Sequence, residues 1–212
     1  MSGSVTISST RGAGGYMIGQ QLAKSLGLHF VNRAIPAGVA EKLAMPLQEA
    51  LDRDEGAGRG VGDLLARYVM PLAALSGYPI VVDEAAPSAD AYQRFTEETI
   101  WEEVCRGAVL MGRGGAFLLA QQPNVLHVRL DGPVEERIAR IAAEEDLSEE
   151  GARRQIRQTD HSRAIYVRHF YHRDWADVSA YHLVVRSTAL SVHACVELIG
   201  AAARGLFKER DE

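Results

Sequence analysis

The sequence contains little cysteine, no long apolar run and no excess of positive charge. Its two cysteines, Cys105 and Cys195, fall in apolar helical patterns, which predicts buried thiols rather than a disulfide framework or a zinc site. No basic segment leads into an apolar core at the start, and no stretch approaches the roughly 18 apolar residues of a membrane-spanning helix. The formal net charge of -5 argues against bulk attraction to a nucleic-acid polymer. We therefore expect a cytoplasmic globular protein whose partners are neither membranes nor nucleic acids.

A strand, a glycine-rich turn and a helix are predicted near the start of the chain. A β-branched run ends at Ser9, three glycines follow within four positions, and Ile18, Leu22 and Leu26 recur at helical spacing. Glycines allow close approach of the backbone to a ligand, and a helix N-terminus adds a positive dipole, so this turn suits a phosphate. The predicted phosphate-binding residues are Ser9, Gly12, Ala13, Gly14, Gly15 and Tyr16.

This turn departs from the standard phosphate-loop pattern G-x-x-x-x-G-K-[ST]. Ser9 stands at the first glycine, Gly15 at the lysine, and Tyr16 and Met17 where the hydroxyl is expected. The loop therefore lacks its usual cation. We hypothesise that Arg11 reaches back over the phosphates and supplies that charge as a catalytic residue.

The rest of the chain predicts a doubly wound α/β sheet. Five strand candidates alternate with helices, which is typical of a parallel sheet whose ligands bind at the carboxyl ends of the strands. Asn32 and Arg33 follow the second strand at that edge and are candidate substrate-binding residues. We predict one domain with a core over 1–32, 107–145 and 176–212, a helical insertion over 33–106 and a lid over 146–175.

One acidic residue in the insertion is a candidate metal ligand. Asp83 follows the apolar run 80–82, the arrangement of a strand end that holds magnesium. A brief extended loop closed by Pro87 explains the same pattern, so both readings stay open.

The lid has an unusual excess of arginine. Residues 151–173 contain six arginines and a single acid, Asp160, in a chain that is acidic overall. Guanidinium groups bind phosphate oxygens in a fork, which predicts an anionic partner. The alternative is a solvated helix face whose arginines pair with the glutamates at 144, 145, 149 and 150. His161, His169 and His172 are a poor metal site because the arginines beside them repel a cation.

Several short motifs are spread over nearly the whole length of the chain. They are Ile7-Ser8 before Gly12-Ala13-Gly14-Gly15, Met111-Gly112-Arg113-Gly114, Pro123-Asn124-Val125-Leu126-His127-Val128, Glu136-Arg137-Ile138, Asp160 with Arg163 and Tyr166, Asp174-Trp175-Ala176-Asp177, Tyr181 and Ser187-Thr188. Together they resemble the cytidylate kinase-like family, relatives of bacterial cytidylate kinase among the nucleoside monophosphate kinases.

The resemblance implies a three-layer P-loop kinase fold with a five-stranded parallel sheet, a helical monophosphate-binding insertion and an arginine-rich lid. It implies transfer of the γ-phosphoryl group of ATP, with Mg²⁺, to a pyrimidine monophosphate such as CMP or dCMP. Arg113 is expected to hold the acceptor phosphate. The other expected site residues are Arg157, Asp160 and Arg163 on the lid side, and Ser187 and Thr188 near the donor base.

Two departures from the family pattern keep other functions open. Cytidylate kinase carries acids where this chain has Asn32 and Gly114, and its loop lysine is Gly15 here. One alternative is a nucleotide-binding module with weak or no catalysis. Another is a kinase that acts on a different small hydroxyl or phosphate substrate. A homodimer also remains open.

Overall fold

The computed structural model describes residues 3–31 and 89–208. The chain divides into two units, one formed by Met1–Arg33 with Ile100–Glu212 and the other by Ala34–Thr99. All the strands described here belong to the first unit. The predictions for Asn32, Arg33 and Asp83 lie outside the described residues.

Strands and helices alternate through the described part of the chain. In order they are β1 (Ser4–Ser9), α1 (Gly15–Leu26), β2 (His29–Val31), α2 (Ala89–Arg106), β3 (Ala108–Met111), α3 (Gly115–Leu118), β4 (Val125–Asp131), α4 (Val134–Glu145), α5 (Glu149–Tyr171), β5 (Leu183–Arg186) and α6 (Val192–Lys208). Short 3-10 turns at Val178–Ala180 and Ser187–Ala189 flank β5.

The strands form one parallel sheet in the order β2-β3-β1-β4-β5. The central strand β1 pairs on one side with β3, where Val5 faces Val109, and on the other with β4, where Val5 faces Leu126. The predicted five-stranded parallel sheet flanked by helices is confirmed. Because the strands are parallel, the turns after β1, β3 and β4 emerge at one edge.

The two faces of the central strands differ in polarity. Val5 and Ile7 belong to an apolar core that also contains Leu22 of α1 and Ile199 of α6. The alternate residues of β1 carry hydroxyl groups, which are buried on the opposite face. There the hydroxyl of Thr6 lies 2.8 Å from Nδ1 of His127. Burial on this face therefore depends on hydrogen bonding as well as on apolar contact.

Helix α5 is anchored to α4 by a separate apolar cluster. Ile138 and Ile141 of α4 pack against Ala152 and Ile156 of α5. Ser148 caps α5, because its hydroxyl accepts a 3.1 Å hydrogen bond from the N–H of Gly151. The cluster and the cap fix the first turns of the arginine-rich helix to the sheet unit.

Two details of the chain differ from the predictions. Cys195 is buried as expected, but Cys105 is exposed, since it lies on the outer side of the last turn of α2. The sequence predicts a strand over 181–185, but β5 begins at Leu183, because Tyr181 turns its ring into a buried polar cluster before the strand starts. No helix among the described residues is long and apolar enough to cross a membrane.

Candidate functional site

The predicted phosphate loop connects β1 to α1 and has the backbone conformation of an anion-binding turn. Gly12 and Gly14 adopt φ values of 84° and 74°, a region that disfavours side chains. A Cβ at Gly12 would also lie 2.9 Å from the carbonyl oxygen of Arg137. The first N–H groups of α1 have no acceptor within the helix, and its dipole is positive at this end. The turn is therefore suited to a phosphate.

Neighbouring segments hold this loop in place. The N–H of Thr10 donates to the carbonyl oxygen of Leu130 at 3.0 Å, and its hydroxyl donates to Asp131 Oδ1 at 3.0 Å. The hydroxyl of Ser187 donates to the carbonyl oxygen of Ala13 at 2.7 Å. Ser187 is buried, so it stabilises the loop from the protein interior.

Thr188, the other residue expected near the donor base, lies on a neighbouring surface. Its side chain covers Gly132, where a Cβ would come within 2.2 Å of the threonine hydroxyl oxygen. Hydrogen bonds from Thr188 and then from Arg186 hold the pKa of the Glu136 carboxyl below its usual range. Thr188 therefore packs over the turn after β4, beside the loop.

A buried ion pair joins the loop to helices α4 and α5. Arg137 Nη1 lies 2.7 Å from Asp160 Oδ2 and 3.0 Å from the carbonyl oxygen of Arg11. Its Nε donates to the carbonyl oxygen of Gly132 at 2.9 Å. The other oxygen of Asp160 accepts the N–H of Arg11 at 2.8 Å. Asp160 thus contacts the loop, and its partner Arg137 belongs to the Glu136-Arg137-Ile138 motif, to which the sequence analysis assigned no role.

The predicted lid and loop arginines occupy different places. Arg163 donates to the carbonyl oxygen of Ser9 and lies 3.8 Å from Asp160, so it reaches the start of the loop. Arg157 is exposed and lies 3.6 Å from Glu150. Arg11 directs its guanidinium to Glu145 and Gln155. The alternative of a solvated, acid-paired face therefore describes Arg157, whereas Arg163 belongs to the site.

Another arginine next to the loop was missed. Arg140 Nη1 lies 3.4 Å from the carbonyl oxygen of Gly12 and 3.0 Å from the position of a Cβ at Gly14. Arg140 lies two residues beyond the Glu136-Arg137-Ile138 motif, and its position on an amphipathic helix does not distinguish it from a solvated arginine. Only the packing of α4 beside the loop reveals its place.

The turn after β3 has an unusual backbone. Gly112, Arg113 and Gly114 have successive φ values of 78°, 57° and 65°. The hydroxyl of Tyr171 donates to the carbonyl oxygen of Arg113 at 3.2 Å, and its ring lies 2.1 Å from the position of a Cβ at Gly114. The space where cytidylate kinase carries an acidic side chain is therefore filled by an aromatic ring from α5.

The segment after α5 is fixed by a buried polar cluster. Arg129 lies with its guanidinium carbon 4.6 Å from the ring centre of Trp175 and donates to that residue's carbonyl oxygen at 2.8 Å. The indole N–H of Trp175 donates to the hydroxyl of Ser8 at 2.8 Å. The hydroxyl of Tyr181 donates to the carbonyl oxygen of Trp175 at 2.9 Å. Trp175 is therefore the packing anchor of this segment.

The described residues do not form a ready magnesium site. No group of three or more His, Cys, Asp or Glu side chains in the described ranges converges on one point. Asp131 is paired with Arg129 at 3.0 Å and Asp160 with Arg137 at 2.7 Å, so both acids nearest the loop already have cationic partners. The loop also lacks the hydroxyl that ordinarily contacts magnesium.

The sequence was compared with models of protein families. A model of the cytidylate kinase-like family matches residues 4–189. The chain belongs to the cytidylate kinase-like family. Membership and the five-stranded sheet together favour a kinase of nucleotides or other small molecules, and they fit a loop built for phosphate.

Solved structures with the same arrangement include an uncharacterized protein from Eubacterium ventriosum ATCC 27560. It is 18% identical, has a TM-score of 0.65, and the match covers 97% of this chain and 99% of that one, which shows a shared fold. A gluconokinase from Sinorhizobium meliloti 1021 matches at a TM-score of 0.49 and 14% identity over 98% of this chain and 94% of that one.

One curated relative shares a local similarity. A uronate isomerase from Corynebacterium glutamicum is 27% identical over 100 residues, which are 47% of this chain and 19% of that protein. The chain thus spans about a fifth of the length of that relative.

Proposed function

We propose that this protein transfers the γ-phosphoryl group of ATP to a nucleoside monophosphate, with CMP or dCMP as the first acceptors to test. The observation that carries the proposal is the glycine turn between β1 and α1, braced by Arg137 and covered by α5. A kinase needs its donor phosphates held in place and its site shielded from water, and these parts suit that task.

In the proposed reaction, an oxygen of the acceptor phosphate forms a bond to the γ-phosphorus of ATP. The bond between that phosphorus and the β,γ-bridging oxygen breaks, and ADP leaves with the electron pair. The loop N–H groups and the dipole of α1 would bind the donor phosphates, while Arg113 would hold the acceptor phosphate. Arginine charge beside the loop would stabilise the negative charge that grows on the transferring group.

Magnesium would enter as the complex of ATP, where it neutralises charge on the β- and γ-phosphates. The described acids near the loop are paired with arginines, so we assign none of them as a ligand. Asp83 remains the sequence-based candidate. Because Mg²⁺ keeps several waters and phosphate oxygens as ligands, few protein groups are required.

The proposal is tested by incubating the protein with ATP and Mg²⁺ against a panel of nucleoside monophosphates and measuring ADP formation. We expect turnover with CMP or dCMP above the rate without acceptor. The panel also includes small hydroxyl compounds that carry no phosphate, and turnover with one of them would identify a kinase for another small substrate. Absence of nucleotide binding by calorimetry would overturn the proposal.

A second candidate function is nucleotide binding without catalysis. It is favoured by the absence of Lys, Ser and Thr at Gly15, Tyr16 and Met17. Saturable ATP binding without turnover on any acceptor would support it.

A further inference from the structure

We propose that Arg163 supplies, from helix α5, the positive charge that a phosphate loop ordinarily receives from its own lysine. This arrangement is necessary because the chain has Ser9 where the standard loop has glycine and Gly15 where the standard loop has lysine. The inference rests on the proposed function, because it concerns how the same loop binds the phosphates of ATP.

The first step concerns the space beside Gly15. A Cβ at this position would lie 2.6 Å from both Cβ and Oγ of Ser9, and 2.8 Å from Cε of Met111. Cβ atoms do not approach this closely, and the serine side chain is buried at the end of a central strand. Its hydroxyl donates to the carbonyl oxygen of Thr10 at 3.0 Å. A lysine at position 15 is therefore excluded as long as Ser9 is present.

The second step compares this pair with the standard pattern. The pattern has glycine at the first position and lysine at the seventh, which are Ser9 and Gly15 in this chain. At position 9 the chain has a serine side chain where the pattern has glycine, and at position 15 it has glycine where the pattern has lysine. The two departures from the pattern meet in space, so they form one coupled change.

The third step concerns a cation that binds the backbone of the same serine. Arg163 donates to the carbonyl oxygen of Ser9, the residue whose side chain blocks position 15. Its guanidinium lies 3.8 Å from Asp160, which also accepts the N–H of Arg11 and pairs with Arg137. A guanidinium carries several N–H groups in fixed directions and can bind carbonyl, carboxylate and phosphate oxygens together.

Two other predicted cations are engaged elsewhere. Arg11 contacts Glu145, and Arg157 lies on the exposed side of α5 beside Glu150. Arg140 contacts the loop at a different place, since its Nη1 donates to the carbonyl oxygen of Gly12. Among the described arginines, Arg163 is the one that contacts Ser9, the residue whose side chain fills the space beside Gly15. Because it belongs to α5, phosphate binding by the loop depends on that helix being docked.

The test is a rescue experiment that uses ATP affinity, measured by calorimetry, and kcat as readouts. Arg163→Ala should weaken ATP binding or lower kcat by about 10- to 100-fold, the range for losing a hydrogen-bonded charge. Adding Ser9→Gly and Gly15→Lys to that variant should raise the affected quantity, ATP affinity or kcat, at least tenfold above its value in Arg163→Ala. Arg168→Ala, an exposed arginine on the same helix, should behave as the wild type.

The outcomes separate this inference from the proposed function. Wild-type protein that binds no ATP would overturn both. Wild-type binding that is unchanged in Arg163→Ala would overturn this inference alone, as would a folded triple variant no better than Arg163→Ala. If the triple variant does not fold, Arg163→Lys and Arg163→Gln decide: Lys should retain more ATP affinity than Gln, and equal losses would contradict the role of the charge.

Discussion

At the residue scale, the glycines of the site are determined by the side chains that pack against them. Gly15 is opposed by Ser9, Gly12 by the backbone of Arg137, and Gly114 by the ring of Tyr171. The sequence showed the missing lysine and the missing acid as separate departures from a family pattern. It could not show that Ser9 and Tyr171 fill those spaces, because the first contact depends on how the loop turns back on itself and the second joins segments distant in the chain.

The turn after β3 offers a matched pair of substitutions. Gly114→Ala should lower the free energy of unfolding by about 2 to 5 kcal/mol. Of this, about 1 to 2 kcal/mol comes from the positive φ of the alanine and about 1 to 3 kcal/mol from its clash with the ring of Tyr171. Gly112 also has a positive φ, but no atom lies within 4 Å of the position of a Cβ there. Gly112→Ala should therefore lower the free energy of unfolding only by the cost of the positive φ, about 1 to 2 kcal/mol. Urea unfolding measures both. Equal losses would show that the ring does not constrain Gly114.

His127 should make stability depend on pH. Burial, followed by the neighbouring His182, lowers the pKa of His127 from 6.5 to about 4. Between these values the unfolded chain binds more protons, so this contribution to stability is complete above pH 6.5 and is lost as the pH falls. The loss should approach about 3 kcal/mol near pH 4.

The measurement is urea unfolding of wild type and His127→Asn between pH 4 and 7. Asn retains a polar group near the Thr6 hydroxyl but does not titrate. The difference in unfolding free energy between the two proteins should shift with pH in favour of the wild type as the pH rises. A constant difference would contradict the depressed pKa.

Arg113 tests the acceptor side of the site. If its guanidinium holds the acceptor phosphate, Arg113→Ala should raise the acceptor KM by about 10- to 100-fold, the range for a hydrogen-bonded charge, while ATP affinity changes little. Steady-state kinetics with ATP and CMP measure both effects. An equal loss for the two ligands would count against the assignment.

At the element scale, the docking of α5 is the main determinant of the site. The sequence predicted an arginine-rich lid over 146–175 and left open whether its arginines bind an anion or pair with acids. The structure shows acid pairing for some of them, since Arg153 pairs with Glu135 and Arg157 with Glu150, while Arg163 and Asp160 contact the loop. Helical spacing could not separate these groups, since the direction of each face depends on how α5 packs against α4.

Two substitutions that each remove a carboxylate from α5 should differ in their effect on the free energy of unfolding. Asp160→Asn leaves Arg137 without its charged partner in a pair whose side chains are 10% and 19% exposed, and should cost about 3 kcal/mol of unfolding free energy. Glu150→Gln removes the partner of Arg157 in a pair that is 60% and 74% exposed, and should change stability by less than about 1 kcal/mol. Chemical denaturation compares the two. Similar small losses would mean that Asp160 does not anchor the loop.

At the scale of the whole molecule, the alternation of strands and helices was sufficient to predict the parallel sheet, because each strand carries its own apolar pattern. The family was also recognisable from short motifs distributed along the chain. The described residues place the loop, the turn after β3 and α5 at one edge of this sheet. The acceptor was not predictable in the same way, because Asn32 and Gly114, where cytidylate kinase is expected to carry acids, depart from that pattern.

The measurement that tests the account most directly follows a labelled γ-phosphoryl group from ATP in the presence of Mg²⁺ and CMP. The account predicts that the label appears on the nucleotide acceptor, that the rate depends on acceptor concentration, and that little label is released as inorganic phosphate. Label that remains on ATP, or passes only to water, while calorimetry shows ATP bound would contradict phosphoryl transfer and leave a loop that only binds.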